Sequence, residues 1–332
     1  QGTPSALPVM AEESSANRLG LARWLVNPEH PLTSRVVVNR FWQQLFGTGI
    51  VETSEDFGSQ GQRPIHPELL DWLAVEFIES GWDIKGIMKL MLTSSTYRQS
   101  SQVSPGVLAK DPENRLLSRG PRFRLDAEML RDQALSVSGL LRGEIGGPSV
   151  KPPQPDGLWY AVGYTDSNTA RFVKDEGAEK VHRRSLYTFW KRTSPPPQMN
   201  ILDAPSRETC TVRRERTNTP LQALVTLNDP QFVETARKLA ESALRTTQDA
   251  DAVASYIAQR TLCRPLNEDE RAIILSAQGD FLTHYRTAPE AASELLAVGE
   301  TRIEADLDPA EVASWTMVAS ELFNLDLSLI HI

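Results

Sequence analysis

The apolar positions of this chain recur mostly at three-and-four spacing, the signature of helices that bury one stripe. Between residues 34 and 46, Val38, Phe41, Trp42, Leu45 and Phe46 share a face, and Gly47 and Gly49 stop the run,. His66-Pro67-Glu68 reads as a helix start, with Pro67 suited to the first turn and Glu68 to its positive dipole end,. Leu69, Leu70, Leu73 and Phe77 supply its apolar face, and Gly81 its end. Asp83 is placed to cap a helix bearing Ile84, Ile87, Met88, Met91 and Leu92,. Leu130, Ala134, Val137 and Leu141 predict another before Gly143.

The texture changes after that. From Gly146 to about Lys180, glycine, proline and polar residues show little periodicity, which predicts a long irregular segment,. Ser185 to Trp190 alternates, setting Leu186, Thr188 and Trp190 against Tyr187 and Phe189, and predicts a strand,. Pro195-Pro196-Pro197 ends any regular element,. Helices return with Pro220, Asp229-Pro230, the capping-box pair Asn267 and Glu270, and Asp308-Pro309,. The expected fold is mainly α: a multi-helix globular module with a small β element near 184–191 and a long irregular middle. Two lobes, 17–143 and 184–326, are expected around a 144–183 insertion.

Composition narrows the classes. At 332 residues, 40% hydrophobic and 23% charged, the chain is ordinary for a globular protein with ample core,. It contains no apolar run long enough to span a membrane. A net charge of −8 weighs against nucleic acid as a dedicated partner,. Cys210 and Cys263 are far apart and lack CxxC spacing, so they offer neither a metal site nor a haem attachment motif, and their redox state stays open,. The chain opens at Gln1 without a signal-peptide pattern, and residues 1–16 read as a linker,. The tail Leu327-Ser328-Leu329-Ile330-His331-Ile332 reads either as a native apolar tail or as a translated sequencing adapter, and on the second reading the chain is expected to be a fragment of a longer protein.

Several strings go beyond periodicity. Asn39-Arg40-Phe41-Trp42-Gln43-Gln44-Leu45-Phe46-Gly47 precedes Asp56-Phe57-Gly58 and His66-Pro67-Glu68-Leu69-Leu70-Asp71-Trp72-Leu73. Gly81-Trp82-Asp83, Asp111-Pro112-Glu113-Asn114-Arg115 and Arg124-Leu125-Asp126-Ala127-Glu128-Met129-Leu130-Arg131-Asp132 follow. Arg183-Arg184-Ser185-Leu186-Tyr187 and Thr217-Asn218-Thr219-Pro220-Leu221-Gln222-Ala223-Leu224 complete the order. Each string alone is weak; the ordered set closely resembles domain of unknown function 1553, the planctomycete-specific C-terminal module, from about Asn17 to Asp326. The resemblance implies a module that follows other domains of the same chain, in exported proteins, periplasmic or at the cell surface. Many such proteins carry a cytochrome c-like segment with a CxxCH haem motif, so haem is an expected cofactor of the upstream region and is carried over to no residue here. The family name assigns no reaction.

Chemistry candidates are therefore read from the residues. Arg35, Asn39 and Arg40 lie on one helix, where they either bind a carboxylate or phosphate or hold loop carbonyls and Asp56,. Arg124, Asp126, Glu128, Arg131 and Asp132 cluster carboxylates with arginines. Asp126 and Glu128 suit acid–base work on a polysaccharide if their environments differ; arginines this close favour an ion-pair network instead. His66 with Asp71 one turn on is a third catalytic candidate, set against a packing role at the helix start,. No P-loop, GxGxxG or GxSxG string accompanies them,. Trp159, Tyr160 and Tyr164, beside Asp156, Asp166 and Asn168, either face a sugar or protein partner or cover the irregular segment,. Residues 171–216 hold eleven basic against six acidic residues, and either bind an anion or nucleic acid or pair with acidic C-terminal helices,.

Overall fold

The computed structural model describes residues 3–10, 17–163 and 169–325, and the backbone of 330–331. Among them stand sixteen α-helices and two two-residue strands, β1 (Phe123–Arg124) and β2 (Ile330–His331). The mainly α expectation holds. The chain divides after Phe123 into two compact units.

The first unit holds α1 (Arg18–Leu25), α2 (Thr33–Phe46), α3 (Pro67–Glu79), α4 (Ile84–Thr93), α5 (Ser95–Arg98) and α6 (Pro105–Lys110). The stripes read from sequence build its core: Val38, Trp42 and Leu45 from α2 meet Leu70, Leu73 and Phe77 from α3 and Ile87 and Met91 from α4. The starts are where the capping signals put them. Pro67 opens α3, and the Asp83 carboxylate accepts from the Gly86 amide at 3.0 Å to start α4,. Ile84 and Leu92 flank that stripe and stay exposed.

The second unit holds α7 (Ala127–Val137), the short α8 (Leu158–Val162), α9 (Ala178–Val181) and α10 (Pro197–Ile201), and then α11 (Pro220–Asn228), α12 (Pro230–Thr246), α13 (Ala250–Leu262), α14 (Glu268–Thr287), α15 (Pro289–Leu296) and α16 (Pro309–Phe323). Its core centres on α12 and α16, with Phe232, Ala236, Leu239 and Ala243 against Trp315, Val318, Ala319 and Leu322. Leu130 and Ala134 of α7 enter this same core. That packing corrects the expected lobes: α7 belongs with the C-terminal helices, so the boundary falls at 123 and not in the 144–183 segment.

The strand expected over 184–191 is also corrected. Ser185–Tyr187 forms a 3₁₀ turn, and only isolated bridges join Arg183 to Arg142 and Thr188 to Val150. The cause is local. The amide and hydroxyl of Ser185 both donate to Asp132 Oδ1 at 2.7 Å, so a side chain on α7 takes the backbone group that a ladder would use,. Among the described residues no helix is long and apolar enough to cross a membrane.

Candidate functional site

In the first unit the candidates other than Arg40 are spent on structure. Asn39 is fully buried; its Oδ1 accepts from the Val51 amide at 2.8 Å and its Nδ2 donates to the Val51 carbonyl at 3.0 Å and Ser54 Oγ at 3.1 Å. Gly49 is required beside it, because a Cβ there would lie 2.6 Å from Asn39 Nδ2. Arg35 pairs with Asp71 at 2.7 Å and donates to the Pro31 carbonyl at 2.6 Å. Asp71 thus serves Arg35, not His66. Arg40 is exposed and pairs with no described residue. His66 Nε2 bonds the Arg115 carbonyl at 3.0 Å. It rims a cleft of about 60 Å³ with Trp42 and Phe46, which has room for a few waters and not for an organic substrate,.

The carboxylate cluster on α7 is closed by arginines. Arg214 grips Glu128 with two bonds, 2.6 and 3.3 Å, and stands 3.6 Å from Asp126. Arg216 bonds Asp126 at 3.3 Å, and Arg207 approaches Glu128 at 3.8 Å while stacking on Trp190. Burial works against the charge of Arg214, but its bond to Glu128 and the charges of Glu128 and Asp126 outweigh that and raise its pKa. Asp132 takes Ser185 and Arg184. Among the described pairs the basic 171–216 stretch therefore meets mainly α7, while Lys174 pairs with Glu300 in the loop between α15 and α16.

Arg124 and Arg131 are internal fasteners. Arg124 donates to the Thr217 carbonyl at 2.7 Å and to Gln222 Oε1. Gln222 is buried, and its Nε2 holds the Ile201 carbonyl and Asp203, so the Thr217–Leu224 string is a folding node. Arg131 is buried and donates to Gln231, Ser185 and the carbonyls of Arg183 and Val181. Of the two roles open to Trp159, the structure shows the covering one: only 3% exposed, it packs against Phe172 and Phe189 under Lys191. Tyr160 is 73% exposed. Tyr164, Asp166 and Asn168 lie outside the described residues. Among the described residues no three His, Cys, Asp or Glu side chains converge to hold a metal ion.

Two arrangements escape the sequence reading. One is a buried pair, His182 Nε2 and Glu234 Oε2 at 2.9 Å, beneath the 298–301 loop. The other is a cavity of about 460 Å³ between α10, α11 and the start of α12. Its walls are Pro153, Pro155, Pro197 and Leu224, and its polar lining includes Gln198 and Asp229. Burial pushes the Asp229 carboxyl up to about 6, against the Gln231 amide and the charge of Arg131. Nothing in an Asp-Pro cap signals that the cap faces a cavity.

A raised carboxyl pKa means that the folded state holds the proton more tightly than the unfolded chain. Its stabilising contribution is complete below the usual 3.8 and is lost as pH rises through about 6,. Asp229→Asn keeps a competent cap and removes that charge. The variant is expected to be more stable near neutral pH by about 1–2 kcal/mol, after allowance for screening. Urea midpoints should show the gap closing below the usual carboxylate range; equal midpoints at neutral pH would refute it.

A family model described as PSD1, protein of unknown function (DUF1553), matches residues 17–277. No curated protein and no solved structure matches the chain.

Proposed function

This chain belongs to the PSD1 family of proteins of unknown function (DUF1553), and on that premise we propose that it is a non-catalytic docking module of an exported multidomain protein, acting in cis with a cytochrome c-like haem segment. One observation carries the non-catalytic part: the carboxylates best suited to acid–base work, Asp126 and Glu128, are each held by two arginines. Such a cluster fastens the 207–216 segment to α7. A polysaccharide hydrolase would need one carboxyl to keep its proton beside a partner that loses it. The exported, extracytoplasmic setting and the haem partner are supported by the family resemblance of the ordered strings.

The purified chain is expected to release no reducing ends from a panel of plant and algal polysaccharides. Release that disappears in Glu128→Gln would overturn the reading. The cis partnership is tested on the full-length gene: an upstream CxxCH motif and signal peptide support it, and their absence removes it.

A further inference from the structure

We propose that the cavity between α10, α11 and the start of α12 binds an aliphatic ammonium group, from a free amine or a lysine side chain, with Asp229 as its counter-ion and Gln198 as its hydrogen-bond acceptor. This site is separate from the α7 cluster and does not rest on the docking reading.

The chemistry follows from the lining. At about 460 Å³ the cavity admits a small organic ligand,. Pro153, Pro155, Pro197 and Leu224 offer apolar contact to a methylene stem. Gln198 is only 5% exposed and lines the cavity; its backbone carbonyl is taken by the Leu202 amide, while its carboxamide faces no donor or acceptor among the described residues. That carboxamide is therefore open at the cavity, where a ligand N–H can meet its oxygen,. Gln154 also lines it, with its Nε2 buried and unpartnered.

The electrostatics select a cation. Among the described residues that line it, Asp229 alone carries a charge. Its Oδ1 accepts from the Gln231 amide at 2.9 Å as the cap of α12. The charged group facing it from another element is Arg131 on α7, whose donors are committed to Gln231, Ser185, Val181 and Arg183. Neither α10 nor the 153–155 loop brings a charge. The last turn of α11 lines the same cavity, and the C-terminal end of a helix favours cations,. A carboxylate kept here at a cost to stability is what a ligand counter-ion would show. A quaternary ammonium fits less well, because it has no N–H to give Gln198.

The test uses the whole chain with n-butylammonium, n-butanol, tetramethylammonium and an end-capped Gly-Lys-Gly tripeptide, followed by NMR titration. Butylammonium is expected to bind with an affinity of about millimolar, and n-butanol and tetramethylammonium at least about tenfold more weakly. Binding should weaken as pH falls below the Asp229 value of about 6. Asp229→Asn, checked for fold by circular dichroism, should lose at least about tenfold, and Gln198→Ala about threefold. Tighter binding of the tripeptide assigns the ammonium to a protein partner, and tighter binding of butylammonium to a free amine. Butanol binding equally well, an unaffected Asp229→Asn, or no binding by the folded wild type overturns the proposal.

Discussion

Arg131→Met is expected to destabilise the second unit by about 3–5 kcal/mol, the usual cost of breaking a buried ionic network from one side. The guanidinium is 2% exposed. Its Nε donates to Gln231 Oε1 at 2.7 Å, Nη1 to the Arg183 carbonyl at 2.9 Å and Ser185 Oγ at 3.1 Å, and Nη2 to the Val181 carbonyl at 2.6 Å. Burial lowers its pKa to about 10, with Asp132 and Asp229 pulling the other way, so it stays charged at neutral pH. Methionine keeps much of the apolar stem packing and isolates the polar loss. The truncation strands acceptors from two segments, 181–185 and the start of α12, and leaves two carboxylates without their shared cation. Because the chain has two units, peptide-resolved hydrogen exchange is the right measurement,. Protection of the 181–185 and 231–236 backbone should fall together. Arg35→Ala is the contrast: its Asp71 pair is largely solvated, and the expected loss is below about 1 kcal/mol,. Equal losses in the two variants would refute the fastener role of Arg131.

The two arginines look alike in sequence, and that shows where sequence reading stops. Periodicity placed the helices well, because a stripe such as Val38, Trp42 and Leu45 has one physical outcome. Caps were legible for the same reason: Asn267 and Glu270 close a reciprocal box as their spacing requires. The polar side of α12 was not legible. Gln231, Glu234, Lys238 and Glu241 recur at three-and-four spacing opposite Phe232, Ala236, Leu239 and Ala243, and nothing in that spacing marks any of them as buried,. In the fold, Gln231, Glu234 and Glu241 are buried, because segments distant in sequence close over them. The spacing of the α7 cluster predicts an ion-pair network with the nearby Arg124 and Arg131, whereas Asp126 and Glu128 are paired by Arg207, Arg214 and Arg216, from a segment with no periodicity to place it. Asp229 and Gln198 gave no signal, since a cavity is a property of three elements at once.

Glu234→Ala is expected to cost about 3 kcal/mol or more, because it strips a buried carboxylate from four donors. Oε1 accepts from the Glu300 amide at 2.8 Å, the Thr301 amide at 2.7 Å and Thr301 Oγ1 at 2.8 Å, while Oε2 meets His182 Nε2 at 2.9 Å. The carboxylate thus plays the part of a strand or helix partner for a loop that has none. Gly299 is what lets the loop come so near. Its φ is +104°, and a Cβ there would lie 2.4 Å from the Glu234 carboxyl carbon. Gly299→Ala should therefore reproduce much of the loss, about 2–3 kcal/mol from strain and displacement. Burial raises the Glu234 pKa, but the bond and charge of His182 and the bonds to Thr301 outweigh it, and the net shift is downward. A depressed carboxyl stabilises the fold above its ordinary value of 4.5, and that stabilisation is lost as pH falls through the lower folded value,. Glu234→Gln retains a carbonyl oxygen for the two amides and has no such proton to take up. It should cost about 1–2 kcal/mol at neutral pH and converge on wild type as pH drops below the ordinary carboxylate range. Hydrogen exchange at residues 298–304 reads both effects. A gap between Glu234→Gln and wild type that stays constant down to strongly acid pH would show that the carboxylate's charge does not hold the loop.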